Sequence, residues 1–216
     1  MKLLNIAYIL MFTSPILYFI KYGKNFYVKK ERCFLVYLGL ITLVELFNLC
    51  YKKFVNPNGE FTNLIYNVLV FFEYNLIFLF YKEVSHEKQT KLYLKIALIL
   101  FNLGYFISVF YYGKEVMVRY MNYILVHGSF LVSVVFVLYL REFLLSDKIL
   151  NYQKDITFWI TVGFLLYYLG TIPLTAAYEF VYINNNINAF NIQVMLTIIM
   201  HVCFIFGIIK CWKKIR

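Results

Sequence analysis

Apolar residues in this chain come in long unbroken runs, separated by short polar segments that are rich in lysine. Seven such runs stand out, at 3–20, 33–51, 64–81, 92–112, 120–140, 156–178 and 187–209. As a helix rising 1.5 Å per residue, each is long enough to cross a hydrocarbon core of roughly 30 Å. Backbone N–H and C=O groups in lipid must be bonded within the segment, which selects helices over open sheets. A membrane β-barrel would instead show alternating stretches of about ten residues. The pattern predicts an all-α fold, a polytopic membrane helix bundle with seven transmembrane helices. The runs leave only short connections, so residues 1–216 read as a single transmembrane domain.

The punctuation between the runs agrees with this. The first run is followed by no small-x-small cleavage pattern and continues past Pro15 to Ile20, so it reads as a span with a proline kink rather than a cleaved leader. Asn56-Pro57-Asn58-Gly59 is a turn signal, and Asn184 to Asn186 suit an outside turn. The third loop (KEVSHEKQTK) and the fifth (REFLLSDKILNYQKD) carry both signs of charge and suit helix extensions beyond the membrane. Tyrosines such as Tyr51, Tyr81, Tyr111, Tyr120, Tyr139 and Tyr178, with Trp212, fall near span ends, as in an interfacial aromatic belt. Gly163 and Gly170 share one face of the sixth span with Thr171, a smooth patch for close helix packing.

Composition reinforces the class. The chain is 62% hydrophobic and 15% charged, more apolar than a soluble domain of 216 residues can conceal. The net charge of +10 raises nucleic acid as a partner, but its placement answers to a membrane. Sixteen of the 21 Lys and Arg residues lie in the first, third and fifth loops, at the start of the fourth span and in the C-terminal tail. The other side holds Lys2, Lys52, Lys53, Lys114 and Arg119. This bias predicts a multi-pass protein of the cell inner membrane with its N-terminus outside and its C-terminus in the cytoplasm. The basic loops are expected to meet anionic headgroups of the lipid bilayer, with no nucleic acid bound. The four cysteines are scattered without a CxxC, which supports neither a disulfide framework nor a cysteine metal site.

Candidate chemistry lies in the few polar residues inside the spans. Glu73 falls about 14 Å from the outer end of the third run, near mid-membrane, and Glu45 about 9 Å deep in the second. A carboxylate at bilayer depth costs a few kcal/mol, about 3 on insertion scales, and marks a functional site by default. Glu45 and Asn48 are three residues apart and share a helix face. Asn67, His127, Thr171, Asn191 and Gln193 fall at comparable or shallower depths in the outer half. If these eight residues face one another, they form a ligand-binding hollow open to the outside. Their other reading is interhelical hydrogen bonding, worth about 1 kcal/mol each.

Several functions are excluded by what is missing from the sequence. Retinal chemistry needs a Schiff-base lysine deep in a span, and the last run has none before Lys210. A zinc hydrolase needs three close His or Asp ligands, whereas only His127 and His201 lie in spans, about 10 Å apart in depth. That offset also speaks against a haem held between them. No HExxH, GxSxG or phosphate-binding glycine loop is present. No catalytic set, metal site or cofactor is therefore expected, and the chain does not read as an enzyme.

At Glu45, Asn67 and Glu73, and at the string Phe158-Trp159-Ile160-Thr161-Val162-Gly163 continuing to Tyr167-Tyr168-Leu169-Gly170, the chain resembles a family of short seven-helix bacterial membrane proteins. These are met beside, or as the input part of, sensor histidine kinases. The resemblance implies a membrane sensor or receptor-like module with no catalysis of its own. No kinase segment follows Arg216, so signalling is expected to need a separate cytoplasmic partner such as a histidine kinase. The ligand is expected to be a small molecule, a lipid or a proton. Two other readings stay open at this point: a small transporter or channel, proton-coupled through Glu73, and a structural membrane subunit.

Overall fold

The seven apolar runs become seven long α-helices in the computed structural model, which describes residues 2–25, 28–55, 61–177 and 187–212. They are α1 (Lys2–Tyr22), α2 (Lys29–Phe54), α3 (Thr62–Val84), α4 (Lys88–Tyr112), α5 (Asn122–Leu144), α6 (Ile156–Ala176) and α7 (Ile187–Trp212). Among the described residues there is no strand, and all seven helices are long and apolar enough to cross a membrane. The protein is an all-α, multi-pass helical bundle.

Most helices extend a few residues beyond their apolar runs, because helix continues into water until a turn residue or cap stops it. Helix α1 continues through Pro15 without a break. Helix α4 stops at Gly113, whose φ of 51° lies in the left-handed region that only glycine enters cheaply. The connection from α3 to α4 shrinks to Ser85–Glu87, so the third loop is mostly helix. The fifth loop holds a run of 3-10 helix, Asp147–Lys154. Asp155 caps α6 by accepting a 2.8 Å hydrogen bond from the Thr157 backbone N–H. The turn expected at Asn56–Gly59, the outside turn at Asn184–Asn186 and Tyr178 lie outside the described residues.

Neighbouring helices close a ring. Helix α1 packs on α2, α2 on α3, α3 on α5, α5 on α6, α6 on α7, and α7 returns to α1, with α4 laid outside against α3 and α5. One end of the bundle is where α1, α3, α5 and α7 begin (the N-side); the C-side is the opposite end. The outward surface is aliphatic and aromatic, with Phe19, Leu43, Leu103, Ile107, Phe110 and Phe130 all largely exposed. Lipid, rather than water, is the solvent such a surface fits.

The interior is built of rings and small polar residues. In the C-side half, Phe34, Phe136, Phe164 and Phe204 converge from α2, α5, α6 and α7, with centroids 5.1–6.1 Å apart and mostly edge-to-face. Such pairs add about 0.5–1.5 kcal/mol each beyond the area they bury. The glycine patch lies against α7: a Cβ on Gly163 would stand 3.0 Å from the Met200 carbonyl oxygen, and one on Gly170 2.8 Å from Leu196. The α6–α7 approach therefore depends on those two missing methyl groups.

Candidate functional site

The ring of helices leaves a gap at its centre that α3 and α6, which do not pack side by side, must bridge with long side chains. Two tyrosines do so. Tyr168 of α6 donates its hydroxyl to Glu73 Oε1 of α3 at 2.5 Å. Eight residues further along α3, Tyr81 donates to Thr161 Oγ1 of α6 at 2.7 Å. The two cross-links are thus about 12 Å apart along the axis. Tyr37 of α2 completes the upper one. Its hydroxyl is buried beside the Glu73 carboxyl and the Tyr168 hydroxyl.

Above this junction lies a narrow hollow of about 80 Å³. Its walls are Glu73 and four tyrosines: Tyr74, Tyr120, Tyr167 and Tyr168. Its polar rim is Ser129, Thr171, Thr175 and Gln193. Tyr120 lies just before α5, and Thr175 and Gln193 lie towards the N-side ends of α6 and α7, so the hollow faces the N-side. Below it, the four converging phenylalanines form a dry floor. Tyr74 is itself locked in place, paired with Ser129 Oγ at 2.8 Å and donating to the Leu125 carbonyl at 3.2 Å. A side chain at Gly128 would meet the Tyr74 ring at 2.8 Å, so the glycine is what admits the ring.

The second acid sits next door. Glu45 Oε1 accepts a 2.9 Å hydrogen bond from the Tyr66 hydroxyl. Asn48, one turn along α2, is 3% exposed and lies beside that phenol. Glu45 and Glu73 are near enough for their charges to act on each other. Lys52 is the cation whose field reaches Glu45. Neither acid belongs to an ion pair among the described residues, where the pairs are Lys30–Glu31 and Arg119–Glu115.

The eight sequence-predicted residues therefore divide. Glu73, Thr171 and Gln193 line one hollow, and Glu45 with Asn48 forms the adjoining polar niche. Asn67 does not face the hollow. Its amide nitrogen donates to the carbonyls of Val116 and Arg119, both at 2.9 Å, and its oxygen accepts from the Met121 N–H at 3.1 Å. It ties the α4–α5 connection to α3. His127 is elsewhere too, wedged between α5 and α4 with Nε2 3.4 Å from the Leu100 carbonyl and its ring against Gly104. Asn191 is half-buried on α7, two residues from Gln193 and hence on another face of that helix. His201 pairs with Ser14 Oγ at 3.0 Å, and no group of three or more potential metal ligands gathers among the described residues.

Sequence reasoning missed the tyrosines. Tyr37, Tyr74, Tyr167 and Tyr168 lie in mid-span, not at the interface, and a buried phenol needs a partner for its hydroxyl. That depth was the available signal, and it is hidden among 21 tyrosines. No protein-family model matches the chain, and neither does any curated protein or solved structure.

Proposed function

We propose that the protein is a membrane sensor module whose central hollow receives a small ligand from the N-side and reports it to a partner at the C-side. The observation that carries this reading is a polar hollow that ends on a floor of packed phenylalanine rings. A transporter needs a second polar route beyond its site, whereas here the space directly below the hollow is packed with Phe34, Phe136, Phe164 and Phe204. A receptor needs only a site and a mechanical path.

The path is short. A ligand at Glu73 competes for the carboxyl that Tyr168 holds, and so bears on the spacing of α3 and α6. The same two helices are linked again by Tyr81 and Thr161. Beyond that, the α3–α4 connection is fastened to α5 by Glu142, whose Oε1 accepts from the backbone N–H groups of His86 and Glu87. Lys148 lies 3.1 Å from His86 Nε2 in the same cluster. A ligand shifts such a structure only by as much as it prefers one arrangement over the other. With the inferred orientation, N-side outward in the bacterial inner membrane, the basic C-side loops face the cytoplasm and offer the surface for a kinase-like partner.

The test is hydrogen exchange on the full chain in lipid nanodiscs, comparing wild type with Glu73→Gln, which keeps the shape and removes the ionisable group. Changed exchange at residues 84–88 and 145–155 supports sensing. Unchanged exchange there, together with a proton flux into reconstituted vesicles that Glu73→Gln abolishes, replaces the sensor by a proton-coupled transporter.

A further inference from the structure

The hollow has a chemical bias that narrows its ligand. One wall is a carboxylate. Four others are tyrosine side chains, whose ring faces carry negative electrostatic potential. The rim is hydroxyl and amide oxygen, able to accept hydrogen bonds. Among the described residues, no Lys, Arg or His lines it. A second carboxylate, Glu45, adds its field from the adjoining niche. The polar groups around the space are thus one carboxyl, phenols, hydroxyls and one amide, with no cation among them, and the buried Glu73 has a neutral phenol where buried carboxylates ordinarily find a cation. The Tyr37 hydroxyl, 2% exposed, stands beside the same carboxyl.

We propose that the hollow is a binding site for a small ammonium-type cation, ammonium itself or a short primary alkylammonium. The carboxylate of Glu73 supplies the countercharge, the tyrosine rings supply the cation–π walls, and the rim oxygens accept the N–H donors. The volume of about 80 Å³ holds a few water molecules or a handful of heavy atoms, which excludes amino acids with large side chains and any nucleotide. The carboxylate wall excludes anions. This inference rests on the receptor reading of the same hollow but is separable from it.

The test uses the purified full chain in nanodiscs and methylammonium chloride as the probe, with binding read by thermal unfolding and by intrinsic tyrosine and tryptophan fluorescence. Sodium chloride at equal ionic strength and neutral acetamide are the controls. A specific ligand raises the unfolding temperature in a saturable way. The expected result is a saturable shift with methylammonium alone. In Glu73→Gln the apparent Kd rises by at least about tenfold, and in Tyr167→Leu by about fivefold, the loss of one ring face. An equal shift with sodium chloride or acetamide, or no saturable shift in the wild type, overturns the cation site, and does so whether or not the variants fold. Methylammonium binding without any change in exchange at the C-side segments leaves the cation site standing and removes the sensing role. A C-side response to Glu73→Gln with no methylammonium binding does the reverse.

Discussion

Glu73 is held by one phenol, overlooked by another, and placed where a charge is expensive. Each of these properties belongs to a different helix, which is why replacing a single atom is informative. Tyr168→Phe removes only the hydroxyl that Glu73 Oε1 accepts from. It is expected to cost about 1–2 kcal/mol in a denaturant titration of the detergent-solubilised protein, since interhelical hydrogen bonds in membranes are modest even when buried. Tyr81→Phe, which severs the lower α3–α6 cross-link, is expected to cost a similar amount, about 1 kcal/mol, without altering ligand affinity at the hollow. A Tyr81→Phe effect on affinity equal to that of Tyr168→Phe would show that the two links are not separate. At this scale the sequence disclosed the acids, because an ionisable residue within an apolar run is conspicuous. It did not disclose their partners. Tyrosine is at home both at an interface and in a packed core, so Tyr168 and Tyr37 look no different in the sequence from Tyr111 or Tyr139.

Among the elements, two joints hold the hollow in shape. The first is Asn67, whose three side-chain hydrogen bonds brace residues 116–121 against α3 and so set Tyr120 at the wall. Tyr105 adds a bond from its hydroxyl to the Asn67 carbonyl at 3.1 Å. Asn67→Ala is expected to destabilise the protein by about 2–3 kcal/mol and to speed amide exchange across 113–121; unchanged exchange there would deny Asn67 this bracing role. The second joint is the close approach of α6 and α7. Gly163→Val places branched methyls against the Met200 carbonyl and the Phe204 ring, at a cost of about 1–3 kcal/mol from overpacking. A thermal midpoint equal to that of the wild type would mean that the helices part freely. The glycine pair was legible because a spacing of seven residues puts both on one helix face. The role of Asn67 was not. An amide that serves a loop and one that serves a ligand have the same sequence signature, and only the position of the α4–α5 connection distinguishes them.

Among the described residues, six long helices form a ring with a seventh laid outside. The interior acids Glu45 and Glu73 lie in the N-side half and at mid-depth; directly below Glu73 four phenylalanine rings pack together, with Tyr81 and Thr161 bonded beside them. Apolar run length made the seven helices readable from sequence, since lipid leaves the backbone no alternative. Their order around the ring was not readable, because lipid-facing and interior residues are both apolar and the runs carry little periodicity. The asymmetry between the halves is what separates a closed receptor from an open path, and labelling of single cysteines measures it most directly. In a background with Cys33, Cys50, Cys203 and Cys211 replaced, Thr171→Cys and Thr175→Cys report on the hollow, and Phe204→Cys reports on the floor. A small, charged, membrane-impermeant thiol reagent is applied to either side of sealed vesicles. The expected result is labelling at 171 and 175 from the N-side only, and none at 204 from either side. Labelling at 204 from the C-side, or a position 171 closed to the reagent from the N-side, would contradict a solvent-reachable hollow resting on a dry floor.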